Sequence, residues 1–148
     1  MLRKSDGITI SEIDPRLSAS SGFNPAGMLK GNFLQRAMTP ADMDRVIGEF
    51  VAAARLSRDA GFDAVELHMG HGYLLNQFIS PLNNRRRDEY GGSALKRVRF
   101  PARVLRAVKE AVGDTTAVLA KMNVADGTRR GLNGVLRLHR HNRRCFAQ

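Results

Sequence analysis

The stretch His68-Met69-Gly70-His71-Gly72-Tyr73 gathers three side chains able to handle protons and hydrogen bonds within six residues. Two imidazoles three positions apart can both donate N–H bonds to one oxygen on which negative charge is developing. A phenol two positions further on can deliver or remove a proton. Glycines at 70 and 72 permit the sharp backbone turns that would bring these side chains together. His-x-x-His also occurs in metal sites, but a metal needs a third ligand, and no nearby cysteine or cluster of carboxylates supplies one. Two readings stand on these residues alone: an oxyanion and acid–base site, or histidines that serve only structure at a strand end.

The elements around them bear on that choice. Residues 63–68, Asp-Ala-Val-Glu-Leu-His, are short, apolar-rich and bounded by Gly61 and Gly70, which predicts a strand. Val65 and Leu67 fall on one face, and Ala64, Glu66 and His68 on the other. Before it, Thr39-Pro40-Ala41-Asp42 is a helix start, with Thr39 as N-cap, Pro40 in the first turn and Asp42 at the positive end of the dipole. Met43, Val46, Ile47, Phe50, Val51 and Ala54 recur at helical spacing, so a helix is expected to about residue 60, closed by Gly61. After the His-Tyr stretch comes a long connection, with a helical turn expected over residues 74–78. Ser93 then caps a second helix carrying Val98, Val104, Leu105, Val108 and Val112, with Pro101 able to kink it. Residues 116–122 form a second candidate strand. Strand, crossover helix and strand make a βαβ unit, so the two strands are expected to be adjacent and parallel, and ligands bind at the C-terminal edge of such strands. Residues 1–38 are expected to be irregular, with a short apolar alternation over 8–13 and loops at 18–22 and 24–25.

Composition narrows the class. The chain has 148 residues, a net charge of +10 and one cysteine, Cys145. A single thiol cannot form an internal disulfide or a cysteine-based metal centre. No apolar run is long enough to span a membrane, and the N-terminus lacks a signal-type stretch, so the cytoplasm is the expected compartment. From residue 129 onward there are six arginines and no acid, so most of the basicity is one tail. That tail lacks the aromatic platform and helical face of a nucleic-acid interface, and a solvated end is the expected reading.

The wider segment, residues 63–100, reads DAVELHMGHGYLLNQFISPLNNRRRDEYGGSALKRVRF. It resembles the old yellow enzyme family, the NADH:flavin oxidoreductases that bind FMN in a TIM barrel. The resemblance rests on His68, His71, Gly72-Tyr73-Leu74, Gln77-Phe78, Ser80-Pro81, Asn84, Arg86, Asp88, Tyr90-Gly91-Gly92-Ser93, Arg97, Arg99 and Phe100, all in register. Leu95 and Lys96 depart from the family pattern, which has Glu and Asn there. The resemblance extends over about residues 38–126 and implies an α/β fold: a partial (β/α)8 barrel, its middle strands and helices.

What the resemblance implies for function is specific. FMN would be the cofactor, NADH or NADPH the reductant, and a small molecule with an activated C=C bond the substrate. His68 and His71 correspond to the family's pair of oxyanion donors and Tyr73 to its proton donor. Lys121 corresponds to the basic residue beside the flavin pyrimidine, with His68 also against the ring. Asp88 is expected to pair with Arg86 or Arg97 in holding the long loop, residues 90–93 to form a turn and helix cap, and Glu66 to be a satisfied polar group inside the barrel. A complete barrel needs about 250 residues, and relatives draw FMN contacts from strands not matched before residue 38 or after 126. The expectation is therefore three segments: 1–38 irregular, 39–126 partial barrel, and 127–148 an Arg-rich, disordered or out-of-frame tail. The alternative function is a non-catalytic fragment, with a basic tail available to nucleic acid.

Overall fold

Helix α1, Pro40–Asp59, starts as its sequence requires. The Thr39 hydroxyl accepts from Asp42 N–H at 3.2 Å, and the Asp42 carboxylate accepts from Thr39 N–H at 2.8 Å, a reciprocal box that satisfies two helix-end donors. The Arg36 guanidinium on Asp42, with the bonds from Thr39, holds that carboxyl well below the usual carboxylate range. Because the folded value lies below the unfolded one, this contribution is complete above about pH 4 and is lost only as pH falls through the lowered value. Thr39→Ala is expected to cost about 1 kcal/mol, read as a lower urea midpoint, with Thr39→Ser restoring most of it.

This computed structural model describes residues 16–23, 34–128 and 131–132. The apolar alternation at 8–13 and nearly all of the Arg-rich tail lie outside the described residues.

After α1, Ala60 and Gly61 close the helix on the carbonyls of Leu56 and Arg58. Strand β4 follows over Ala64–Met69 and pairs in parallel with β5, Ala117–Met122, in the register Ala64↔Ala117 through Met69↔Met122. The expected long helical crossover is two helices. α3, Ala94–Arg97, is capped by Ser93 and ends at Val98; α4, Arg99–Val112, then begins. Pro101 has no N–H to bond the Arg97 carbonyl, so the hydrogen-bond ladder breaks there instead of bending. A short helix α2, Leu74–Ile79, lies in the connection after β4.

α4 packs on α1 and both cover one face of β4–β5. Met43 and Val46 of α1, Leu67 and Met69 of β4, Phe78 of α2 and Phe100, Val104 and Val108 of α4 are fully or nearly fully buried. Phe78 and Phe100 meet with ring centroids 4.5 Å apart. Arg58 donates to the Ala111 carbonyl at 2.8 Å, and Arg103 bonds Asp44 at 2.6 Å, tying the helices at two levels.

Part of the N-terminal segment expected to be loop is strand. β1, Leu17–Ser18, runs parallel to β3, Leu34–Ala37, and β2, Gly22–Phe23, pairs antiparallel with it. These strands are too short to carry a sequence period. They exist through distant bonds such as Arg36 N–H to the Arg16 carbonyl at 2.8 Å and Met38 N–H to the Ser18 carbonyl at 2.9 Å. No helix among the described residues is long and apolar enough to cross a membrane.

The second face of β4–β5 carries Ala64, Glu66 and His68 beside Ala117, Leu119 and Lys121. All but the half-buried His68 are exposed, Glu66 included. In a complete (β/α)8 barrel that face lines the interior, and its C-terminal edge carries the active site.

Candidate active site

His68 lies near the end of β4, opposite Lys121 of β5 in register, so both side chains leave the same face of the sheet. The His71 ring packs edge-on against His68, centroids 4.9 Å apart at 70°. Tyr73 lies 5.0 Å from the His68 ring on a tilted plane. The structure thus brings the three rings together at the C-terminal edge of β4, with the Lys121 position beside them on the neighbouring strand. Tyr73 and His71 are exposed, and Lys121 makes no ion pair among the described residues.

The turn that gathers these rings has a different construction from the one its two glycines suggest. The left-handed positions are His71, φ 56°, and Gly72, φ 75°. A non-glycine residue in that region costs roughly 1–2 kcal/mol. The His71 N–H donates to Asn123 Oδ1 at 2.9 Å, which offsets about 1 kcal/mol of it. Gly72 is held on both sides from α2: its N–H donates to Asn76 Oδ1 at 2.9 Å, and its carbonyl accepts from Gln77 Nε2 at 3.0 Å. Ser18 of β1 donates to Gln77 Oε1 at 2.8 Å, so the N-terminal strands brace the same turn. Tyr73 is the N-cap of α2, which fixes its backbone while its phenol stays free of the cap.

The Nδ1 atom of His68 is buried and meets no hydrogen-bond partner among the described residues. Nearby, Asp126 accepts from Ser80, from Leu132 N–H and from Asn123. Burial works against charge on Asp126, and the bonds from Leu132, Ser80 and Asn123 outweigh it, holding the carboxyl below its ordinary value.

The loop from α2 to α3 closes as an ion-paired brace. Of the two arginines expected for Asp88, Arg86 takes it, with Nη2 to Oδ2 at 2.6 Å. Arg97 instead donates to the carbonyls of Ile79, at 2.8 Å, and Gly92. Sequence reasoning singled out the rings and Lys121 but missed Asn76 and Asn123. The available signal for Asn123 was its place just past the strand end, two residues after Lys121.

A flavin ring is planar, polar at one edge and carries negative charge when reduced. The polar groups at this edge fit such a group: an exposed Lys121 with the imidazoles beside it on the same sheet face. Lys121 and His68 are the residues that would hold the ring.

The βαβ unit, with two imidazoles, a phenol and a cation gathered at the C-terminal edge of its strands, has the architecture of part of an α/β barrel with its ligand edge. The sequence profile of the NADH:flavin oxidoreductase / NADH oxidase family matches residues 6–137, and the chain belongs to that family. The match reaches beyond residues 38–126 on both sides. Over 124 residues the chain is 44% identical to a 4,4'-dithiodibutanoate disulfide reductase of Rhodococcus erythropolis, covering 84% of this chain and 30% of that protein. Over 100 residues it is 51% identical to an NADPH dehydrogenase of Geobacillus sp. (strain WCH70), covering 68% and 28% respectively. The structure resembles histamine dehydrogenase from Rhizobium sp. 4-9 with TM-score 0.70 at 34% identity, over 79% of this chain and 17% of that one. It resembles morphinone reductase with TM-score 0.57 at 37% identity, over 60% and 24%. The chain therefore spans less than a third of the length of these relatives, and its fold is a portion of their (β/α)8 barrel.

Proposed function

We propose that residues 39–126 form the substrate-activating side of an FMN-dependent, NAD(P)H-driven reductase of activated alkenes. The observation that carries this reading is the ring cluster His68–His71–Tyr73 at the end of β4, in register with Lys121. FMN, when bound, supplies the hydride chemistry that the side chains themselves lack. His68 and His71 would donate N–H bonds to the substrate carbonyl oxygen, where negative charge grows as the β-carbon is reduced. Removing one such donor typically costs about 10²–10³ in rate. Tyr73 would protonate the α-carbon. Lys121, a cation on the same sheet face, would stabilise negative charge on the ring.

The test is a graft. Residues 39–126 replace the aligned segment of the Geobacillus NADPH dehydrogenase, and the purified chimera is assayed with NADPH and cyclohexenone. Retained FMN with turnover of the enone is the expected result. A chimera that binds FMN and is reduced by NADPH, yet leaves enones untouched, overturns the alkene reading. A second acceptor class, a disulfide, is favoured by the identity to the Rhodococcus disulfide reductase. The same donors would then face a developing thiolate, and the same chimera offered a dialkyl disulfide separates the two.

The 148-residue chain alone is expected to lose FMN on desalting. Among the described residues β4 and β5 are the only strands of their sheet, and a barrel flavin site draws on several. A stoichiometric flavin spectrum that bleaches with NAD(P)H would make the chain sufficient by itself.

A further inference from the structure

We infer that Asn123 is a positioning residue, fixing the backbone turn at His71 and with it the His68–His71 donor pair. This rests on the reading of His71 as a donor. Asn123 follows the last residue of β5, so its amide reaches the His turn from the neighbouring strand, and its Oδ1 accepts the His71 N–H at 2.9 Å. That bond falls on a residue held at φ 56°, the conformation an L side chain resists.

The amide is oriented from behind. Asn123 Nδ2 donates to Asp126 Oδ1 at 3.3 Å, and Asp126 Oδ2 accepts from Ser80 Oγ and from Leu132 N–H at 2.7 Å. A carboxylate only accepts and a backbone N–H only donates, and the Asn123 amide, which does both, links them with its NH2 toward Asp126 and its oxygen toward His71. The carboxylate thereby sets which way the amide faces. Gly70 leaves the room: a Cβ there would stand 2.8 Å from Asn123 Oδ1 and 3.6 Å from its backbone nitrogen. The absence of a side chain at 70 and the amide at 123 are two halves of one arrangement.

The test uses the full 148-residue chain, isotopically labelled, with amide exchange at His71 and the nuclear Overhauser contact between the His68 and His71 rings as readouts. In the native chain the His71 amide is protected and the rings are in contact. Asn123→Ala should lower protection at His71 about tenfold, the loss of roughly one net hydrogen bond, and weaken the ring contact. Amides of α1 and α4, such as Val46 and Val108, should keep theirs. Gly70→Ala retains Asn123 and should produce the same local loss by displacing its amide. If Asn123→Ala lowers helix protection as well, Gly70→Ala decides. An unprotected His71 amide in the native chain, or a His71 amide and ring contact untouched by Gly70→Ala, overturns the positioning role. Neither readout involves flavin or substrate, so failure here is separate from failure of the catalytic reading, which the chimera tests.

Discussion

Tyr73→Phe in the chimera is expected to slow enone reduction by about 10²–10⁴-fold while leaving the reduction of FMN by NADPH close to unchanged. The substitution removes one oxygen and little else. Tyr73 is 62% exposed, its phenol makes no hydrogen bond to other described residues, and its ring contact with His68 survives in phenylalanine. Its structural duties lie in the backbone: N–H to the Gly70 carbonyl at 3.2 Å, and carbonyl to Gln77 N–H at 2.9 Å at the start of α2. A rate change therefore reports the lost proton donor. The half-reactions separate the possibilities. Reduction of FMN by NADPH consumes no proton from Tyr73, whereas the reduced substrate needs one at its α-carbon. Stopped-flow measurement of both halves checks this. Equal slowing of the two would argue that Tyr73 shapes the flavin pocket and delivers no proton.

What could be read from the sequence follows from where each interaction keeps its information. The start of α1 was legible because a cap is local: Thr39, Pro40 and Asp42 are neighbours, and the box is formed by Thr39 and Asp42 themselves. The parallel pairing of β4 and β5 was legible because a right-handed crossover is nearly obligatory between parallel strands of one sheet. Given the two strands, His68 and Lys121 had to lie near each other. The break at Val98 was half legible: Pro101 announced a fault in the helix but not whether it bends or splits. β1, β2 and β3 left no trace, since strands of two to four residues have no period and their partners are backbone groups far along the chain. The same reason hid Asn123. Its partner is the His71 N–H, and a backbone donor has no side-chain identity to match. The conformation of His71 was equally hidden, because the sequence offers glycines on either side of it as the natural left-handed residues.

Arg86→Met is expected to destabilise the 148-residue chain by roughly 3–5 kcal/mol. One guanidinium reaches four partners at once. Its Nη1 donates to the carbonyls of Ala19 and Met38, both at 2.9 Å, and these residues are 0% and 1% exposed. Its Nε and Nη2 form a fork on Asp88, and its carbon lies 5.8 Å from the centre of the Phe78 ring. Methionine fills much of the volume but supplies no donor, leaving two buried carbonyls unpaired at about 1–3 kcal/mol each. The ion pair itself contributes less, because Asp88 is partly exposed and surface pairs are worth about 0–1 kcal/mol. Asp88→Asn is thus expected to cost under about 1 kcal/mol, and Arg86→Lys to fall between, since an ammonium cannot fork across carboxylate and carbonyls together. The Arg86 guanidinium also holds the Asp88 carboxyl below its ordinary value. The pair's share is accordingly present above about pH 4 and lost as pH falls through that lowered value. Urea unfolding followed by circular dichroism, at neutral pH and well below about pH 4, measures all three variants. The order Met, Lys, Asn from most to least damaging places the energy in the buried carbonyls. If Asp88→Asn were as costly as Arg86→Met, the energy would lie in the ion pair.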